Sequence, residues 1–211
     1  MLDTLLERHR ALAPCAHDIE RAVTVLCDAF ARGNKVLTCG NGGSAADAEH
    51  IVGELMKGFR HARPLTGAEK ERLEAVGGAE GARMAGRLQK PLPAVSLVSS
   101  VSLATAFAND VAPELTFAQQ VYGLGVPGDV LIALSTSGTS RNVVCAIIAA
   151  KARGLQVIGL TGGNGGALKT MSDVCIVVPS QVTHEIQEYH LPVYHYLCEA
   201  VEARFFGPPP K

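Results

Sequence analysis

Apolar positions in the first thirty residues recur at helical spacing, at Leu5, Leu12, Ile19, Val23, Leu26 and Phe30. The pattern breaks near Pro14 and stops at Gly33-Asn34, which predicts a helical lead-in over residues 1–33. Four short apolar runs follow, each ending in a small-residue loop. Residues 35–39 lead into GNGGS, 94–98 into SS, 129–134 into STSGTS and 155–160 into TGGNGG. A fifth run, 174–178, ends at Pro179. Strand, small-residue turn and helix in repetition predict a parallel sheet wrapped by helices. The expected fold is therefore α/β: a three-layer, doubly wound domain with five buried strands and ligands bound at their carboxyl ends.

Two stretches depart from this rhythm. Residues 60–93 are polar, charged and flanked by prolines, and read as an inserted helical excursion over the surface. Thr66 and Glu69 have capping-box spacing, so a short helix over 67–76 is expected, ended by Gly77-Gly78. Residues 184–205 read as one long helix carrying Pro192, after which the terminal GPPPK is expected to fray.

Composition narrows what the loops can do. A chain of 211 residues, 47% hydrophobic, suits one core and one domain spanning 1–211. Nineteen basic residues against twenty acidic ones leave a formal charge of −1, so no long-range field favours nucleic acid or a lipid surface. The six cysteines form no C-x-x-C pair, no stretch approaches a membrane span, and MLDTLLERHR lacks a signal-peptide pattern. A cytoplasmic protein with reduced thiols is expected.

Two loops have the makings of a phosphate cradle. Backbone N–H groups at a helix N-terminus, with serine and threonine hydroxyls, hold a phosphate without a strongly basic surface. Asn41, Gly42, Gly43 and Ser44 supply one such loop; Ser135, Thr136, Ser137, Thr139 and Ser140 around Gly138 supply the other. Gly40-x-Gly42-x-x-Ala45 also fits a dinucleotide fingerprint. That fingerprint needs a second strand ending in an acid about 20 residues on. GFRHARPL stands there instead, and a nicotinamide cofactor is not expected. In the helix after the first loop, His50 and Glu54 are four apart and share a face. Gln187 and His195 lie on the last helix among His184, Glu185, Glu188 and His190.

Five ordered motifs, GNGGSAADAEHIVGEL, FANDVAPELTFAQQV, STSGTSRNV, LTGGNGGAL and IQEYHLPVYH, together resemble the sugar isomerase (SIS) superfamily, specifically its sedoheptulose 7-phosphate isomerases. The resemblance covers nearly everything except residues 60–93. It implies an isomerase converting D-sedoheptulose 7-phosphate to D-glycero-D-manno-heptose 7-phosphate through an enediol, early in the making of nucleotide-activated heptose. It also implies Glu54 and His195 as proton-transfer residues. A noncatalytic branch of the superfamily lacks the glutamate and the final histidine that this chain keeps. Phosphate would be held by Ser44, Ser135, Thr136, Ser137 and Ser140, with Asn109 and Asp110 near the sugar hydroxyls. Some relatives bind zinc, here one per subunit through His50, Glu54, Gln187 and His195, and form homotetramers with sites at subunit interfaces. Glu54 could act as base or as ligand.

Gln187 and His195 stand about 12 Å apart on a straight helix. Either Pro192 kinks the helix and draws them together, or they serve one site from different subunits. Where relatives carry arginine and aspartate, this chain has Lys57-Gly58 and His184, so the basic contact to substrate is made by Lys57, by Arg60 or not at all. The alternatives in play are a noncatalytic sugar-phosphate sensor and an isomerase of another phosphoketose.

Overall fold

The structure, a computed structural model, describes residues 1–207. The expectation for the terminal prolines, residues 208–211, lies outside the described residues. Five strands, β1 (Val36–Cys39), β2 (Ala94–Ser96), β3 (Val130–Leu134), β4 (Gln156–Thr161) and β5 (Val174–Val177), form one parallel sheet in the order β2-β1-β3-β4-β5. The central strands are apolar on both faces because both faces are covered. Along β3, Val130, Ile132 and Leu134 enter one core, and Leu131 and Ala133 enter the other. The edge strands are not fully buried: Val95 of β2 is 38% exposed, and β5 alternates buried with half-buried positions. The expectation of five buried strands holds for the middle three.

Helices cover both faces. On one side pack α1 (Leu2–Arg8), α2 (Ala16–Ala31), α3 (Gly43–Met56) and α9 (Thr183–Phe206). Residues of α6 (Thr116–Leu124), α7 (Arg141–Ala152) and α8 (Gly166–Met171) fill the other core. The lead-in is helical as expected, with a 3-10 stretch, Arg10–Cys15, around Pro14.

The insert forms α4 (Gly67–Ala85), opened by the predicted capping box between Thr66 and Glu69. The first helical stretch ends at Gly77-Gly78, as expected. Gly78 leaves the helix at φ +54° and ψ −130°, and a second helical stretch, which was not expected, follows at once, with Gly81 so close to the Leu73 carbonyl that a side chain would not fit. Gly78 breaks the helix because glycine takes a positive φ without a Cβ penalty, and the chain re-enters helix just beyond it. Between β2 and β3 lies α5 (Val101–Asp110), which has no buried residue.

The strand order places the functional loops. Chain connections leave β1 toward β2 on one side and resume at β3 on the other, so β1/β3 is the point where the winding reverses. In such sheets a crevice opens there, at the carboxyl ends. The loops after β1 and β3 are the two predicted cradle loops.

Candidate active site

The cradle is assembled at the reversal point. Gly42 takes φ +56° and starts α3, and Ser140 precedes α7, so both helices aim their unpaired N-terminal N–H groups into one crevice. The loops are tied by a reciprocal amide pair: Asn41 Nδ2 donates to Asn142 Oδ1 (2.9 Å), and Asn142 Nδ2 donates to Asn41 Oδ1 (2.8 Å). Ser135 Oγ is 2.9 Å from Ser140 Oγ, and Ser137 Oγ accepts from the Thr139 amide. The cavity is about 270 Å³, lined by Asn41, Gly42, Gly43, Ser44, Ser135, Thr136, Ser140 and Gln187. Seven of these lining positions, all but Gln187, belong to the two loops expected to cradle phosphate. The lining is neutral, so an anion would be held by dipoles and hydroxyls.

Gln187 belongs to this cradle. Its amide packs so tightly on Gly43 that a Cβ there would fall 2.4 Å from Nε2. His195, two turns further along α9, meets α3 elsewhere. Its Nε2 is 3.5 Å from His50 Nε2, which in turn is 3.3 Å from Glu54 Oε1. Helix α9 runs unbroken through Pro192, so the proline does not draw Gln187 to His195. Helices α3 and α9 run side by side, with one polar group at the sheet end and another two turns away.

The second group is held from behind. The His50 ring sits edge-on to Tyr194 and His195. His50 Nδ1 is 2.9 Å from the buried Tyr194 hydroxyl, which donates to Asp47 Oδ1 (3.2 Å). Burial and the neighbouring His50 keep the His195 pKa below its ordinary value, against the pull of Glu54 and Glu199. Lys57 Nζ donates to Glu54 Oε2 (2.9 Å), and Arg60 pairs with Glu199 (3.2 Å). His195 also lines a cavity of about 330 Å³ beneath α1, together with Arg8, His9 and Arg60.

The turn that follows Glu54 is clamped. Glu202 is fully buried and accepts from the amides of Phe59, Arg60 and His61 and from Arg63 Nε. Arg63, also fully buried, donates to the carbonyls of Leu55 and Glu54, capping the end of α3. Burial alone would raise the Glu202 pKa, but the Phe59 and Arg60 amides and the Arg63 guanidinium outweigh it and hold it low.

Asn109 and Asp110 stand at the exposed end of α5, where Asn109 Nδ2 donates to Asp110 Oδ1 (2.8 Å). Their described hydrogen bonds reach neither the cradle nor His50. Sequence reasoning missed Asp47, Tyr194, Arg63 and Glu202. Asp47 and Tyr194 carried a usable signal, being three residues from His50 and next to His195; the Arg63–Glu202 pair, 139 residues apart, carried none.

The SIS domain family matches residues 3–72 and 79–162. The chain is 42% identical to a phosphoheptose isomerase of Thiobacillus denitrificans over 205 residues, 96% of this chain and 89% of that one. It is 44% identical to that of Rhodospirillum rubrum over 191 residues, 90% and 88% of the two chains. The solved structure of phosphoheptose isomerase GmhA from Neisseria gonorrhoeae superposes with a TM-score of 0.73 at 32% identity, covering 95% of this chain and 96% of that one. A cradle at the sheet's reversal point, a His-Glu-His group on the paired helices α3 and α9, and relatives alike over nearly their whole length converge: the chain belongs to the phosphoheptose isomerase family of SIS-domain proteins.

Proposed function

We propose that the protein isomerises sedoheptulose 7-phosphate to D-glycero-D-manno-heptose 7-phosphate. The observation that carries this reading is the meeting of Glu54 and His195 at His50. A sugar-phosphate sensor needs the cradle but has no use for a base and an acid held together.

The chemistry follows from the groups. The crevice loops take the phosphate through backbone N–H groups and the hydroxyls of Ser44, Ser135, Thr136, Ser137 and Ser140. In the open-chain ketose, a base removes the proton from C1, whose bond pair forms the C1–C2 double bond while the C2 carbonyl oxygen gains a proton. The resulting enediol loses its O1 proton, regains one at C2 and becomes the aldose. In this reading Glu54 moves the carbon-bound proton and His195 the oxygen-bound one. Asn109 and Asp110 are proposed to meet the sugar hydroxyls when a neighbouring subunit brings α5 to the site.

Zinc is part of the proposal. Two imidazole nitrogens and a carboxylate oxygen are donors zinc accepts. The 3.3 and 3.5 Å separations approach the ~3.3 Å edge of a zinc tetrahedron with bonds of about 2.0–2.1 Å. Among the described residues no three His, Cys, Asp or Glu side chains close into a metal cage, and Gln187 stands at the cradle. The donor spacing is met pairwise, His50 with Glu54 and His50 with His195, and in this proposal the three side chains would close around the ion with Gln187 supplied across an interface. Bound there, zinc would polarise the carbonyl and stabilise the developing enediolate charge.

A homotetramer with shared sites is supported by α5, which leaves Val101 68% and Leu103 40% exposed. A cytoplasmic location is supported by six free cysteines, which such a compartment keeps reduced. The direct test is an NMR time course with sedoheptulose 7-phosphate, with and without zinc. Formation of a heptose 7-phosphate, lost in Glu54→Gln and His195→Ala, is expected. Tight binding of the substrate without turnover would replace this reading with a sensor.

A further inference from the structure

One tyrosine behind the paired histidines joins α9 to α3. Tyr194 is 1% exposed, with its hydroxyl between His50 Nδ1 (2.9 Å) and Asp47 Oδ1 (3.2 Å). A phenol has one proton to donate and lone pairs with which to accept, whereas an ionised carboxylate only accepts. The hydroxyl proton therefore goes to Asp47, and the phenol oxygen accepts from His50, whose proton must sit on Nδ1. In the reverse arrangement the phenol would donate to Nδ1, leaving its oxygen and the Asp47 carboxylate facing each other with no proton between. Asp47 Oδ2 is buried without a partner, so the Tyr194 bond is the only one described for this carboxylate's buried side.

We propose that Asp47 and Tyr194 are positioning residues that hold His50 with Nδ1 as donor, so that Nε2 is the lone-pair atom presented to Glu54 and His195. Nε2 is the atom both partners approach, at 3.3 and 3.5 Å. The other neutral tautomer would put a proton where a zinc ion or a transferred proton has to be received. A carboxylate or hydroxyl behind a liganding histidine commonly fixes its tautomer and raises its basicity. Here a phenol relays the carboxylate, on the same helices that carry the reacting groups. The value of this arrangement in turnover rests on the isomerase reading, but the tautomer itself can be read without substrate.

The test uses full-length protein labelled with ¹⁵N-histidine and freed of metal. Long-range ¹H–¹⁵N spectra are recorded where His50 is neutral, with its signal assigned from His50→Gln. Wild type is expected to show the Nδ1–H form. Tyr194→Phe keeps the ring and loses the hydroxyl, and it should move His50 toward the Nε2–H form, as should Asp47→Leu. Asp47→Asn keeps an oxygen that accepts from the phenol and should preserve the wild-type form. Zinc titrated into the same proteins should bind about 10–100-fold more weakly to the Phe and Leu variants and nearly normally to the Asn variant. An Nε2–H form in wild type overturns the proposal, as does Tyr194→Phe with unchanged tautomer and zinc affinity. An inactive wild type with the Nδ1–H form would count against the isomerase reading alone.

Discussion

Single side chains decide the chemistry, and two substitutions separate their roles. Glu54→Gln preserves the shape and the Lys57 contact as a hydrogen bond but removes the basic oxygen. A loss of about 10²–10⁴ in turnover with an unchanged melting temperature is expected, the range for deleting a positioned acid or base. NMR of product formation beside thermal unfolding checks it. Gly138→Ala should do the reverse. Gly138 takes φ +68°, and a Cβ would fall 2.1 Å from the Gly165 carbonyl, a backbone atom that cannot swing away. We expect destabilisation of about 1–3 kcal/mol and weaker binding of substrate, read by denaturant unfolding and by KM.

At the scale of elements, the end of α3 is fastened to α9 by a buried ion pair rather than by apolar packing alone. Removing one partner of such a pair strands the other charge, so Arg63→Met should cost about 3–5 kcal/mol. The Glu202 carboxyl is depressed in the folded protein, so its stabilisation is complete above the unfolded-state value of about 4.3 and is lost as pH falls through the lower folded value. Asp129 behaves alike: burial opposes ionisation, but the Lys35 amide and ammonium, the Val126 amide and Asn34 hold its pKa low. Stability should be flat from about pH 7 to 8, begin to fall near the unfolded histidine value of about 6.5, because burial lowers the pKa of His190 to about 4 and that of His195 below its ordinary value, and fall further below pH 5. Glu202→Gln should be less stable near neutrality and show a shallower acid slope, measured by urea unfolding across pH.

At the scale of the whole molecule, one chain presents two separated polar groups. Gln187 and the cradle lie at one end of the α3/α9 pair and His50, Glu54 and His195 about 12 Å further along. If assembly brings one chain's cradle against another's Glu54, inactive Gln187→Ala and Glu54→Gln proteins should recover activity when unfolded together and refolded as mixed oligomers. Absence of recovery, with mixed oligomers verified by mass spectrometry, would place the whole site within one chain. Val101→Glu on the uncovered α5 should lower the oligomer mass in light scattering and reduce activity with it.

Much was legible from local pattern. Apolar runs marked all five strands, four of them ending in small residues, because a parallel sheet packed between helices demands continuous apolar segments in its central strands. The cradle serines and glycines were visible because phosphate-type loops need those residue types at a strand-to-helix turn. His50 and Glu54 could be paired because helical spacing alone puts them together. Only tertiary structure decided the rest. It added a second helical stretch after the break at Gly78, since a positive-φ glycine lets the chain re-enter helix wherever packing accepts the second half. It sent Gln187 to the cradle and His195 to His50, because the partner of each residue on a long helix depends on what that helix crosses. It buried Arg63 with Glu202 and Tyr194 with Asp47, since contacts between residues 139 and 147 positions apart leave no periodic trace in the chain.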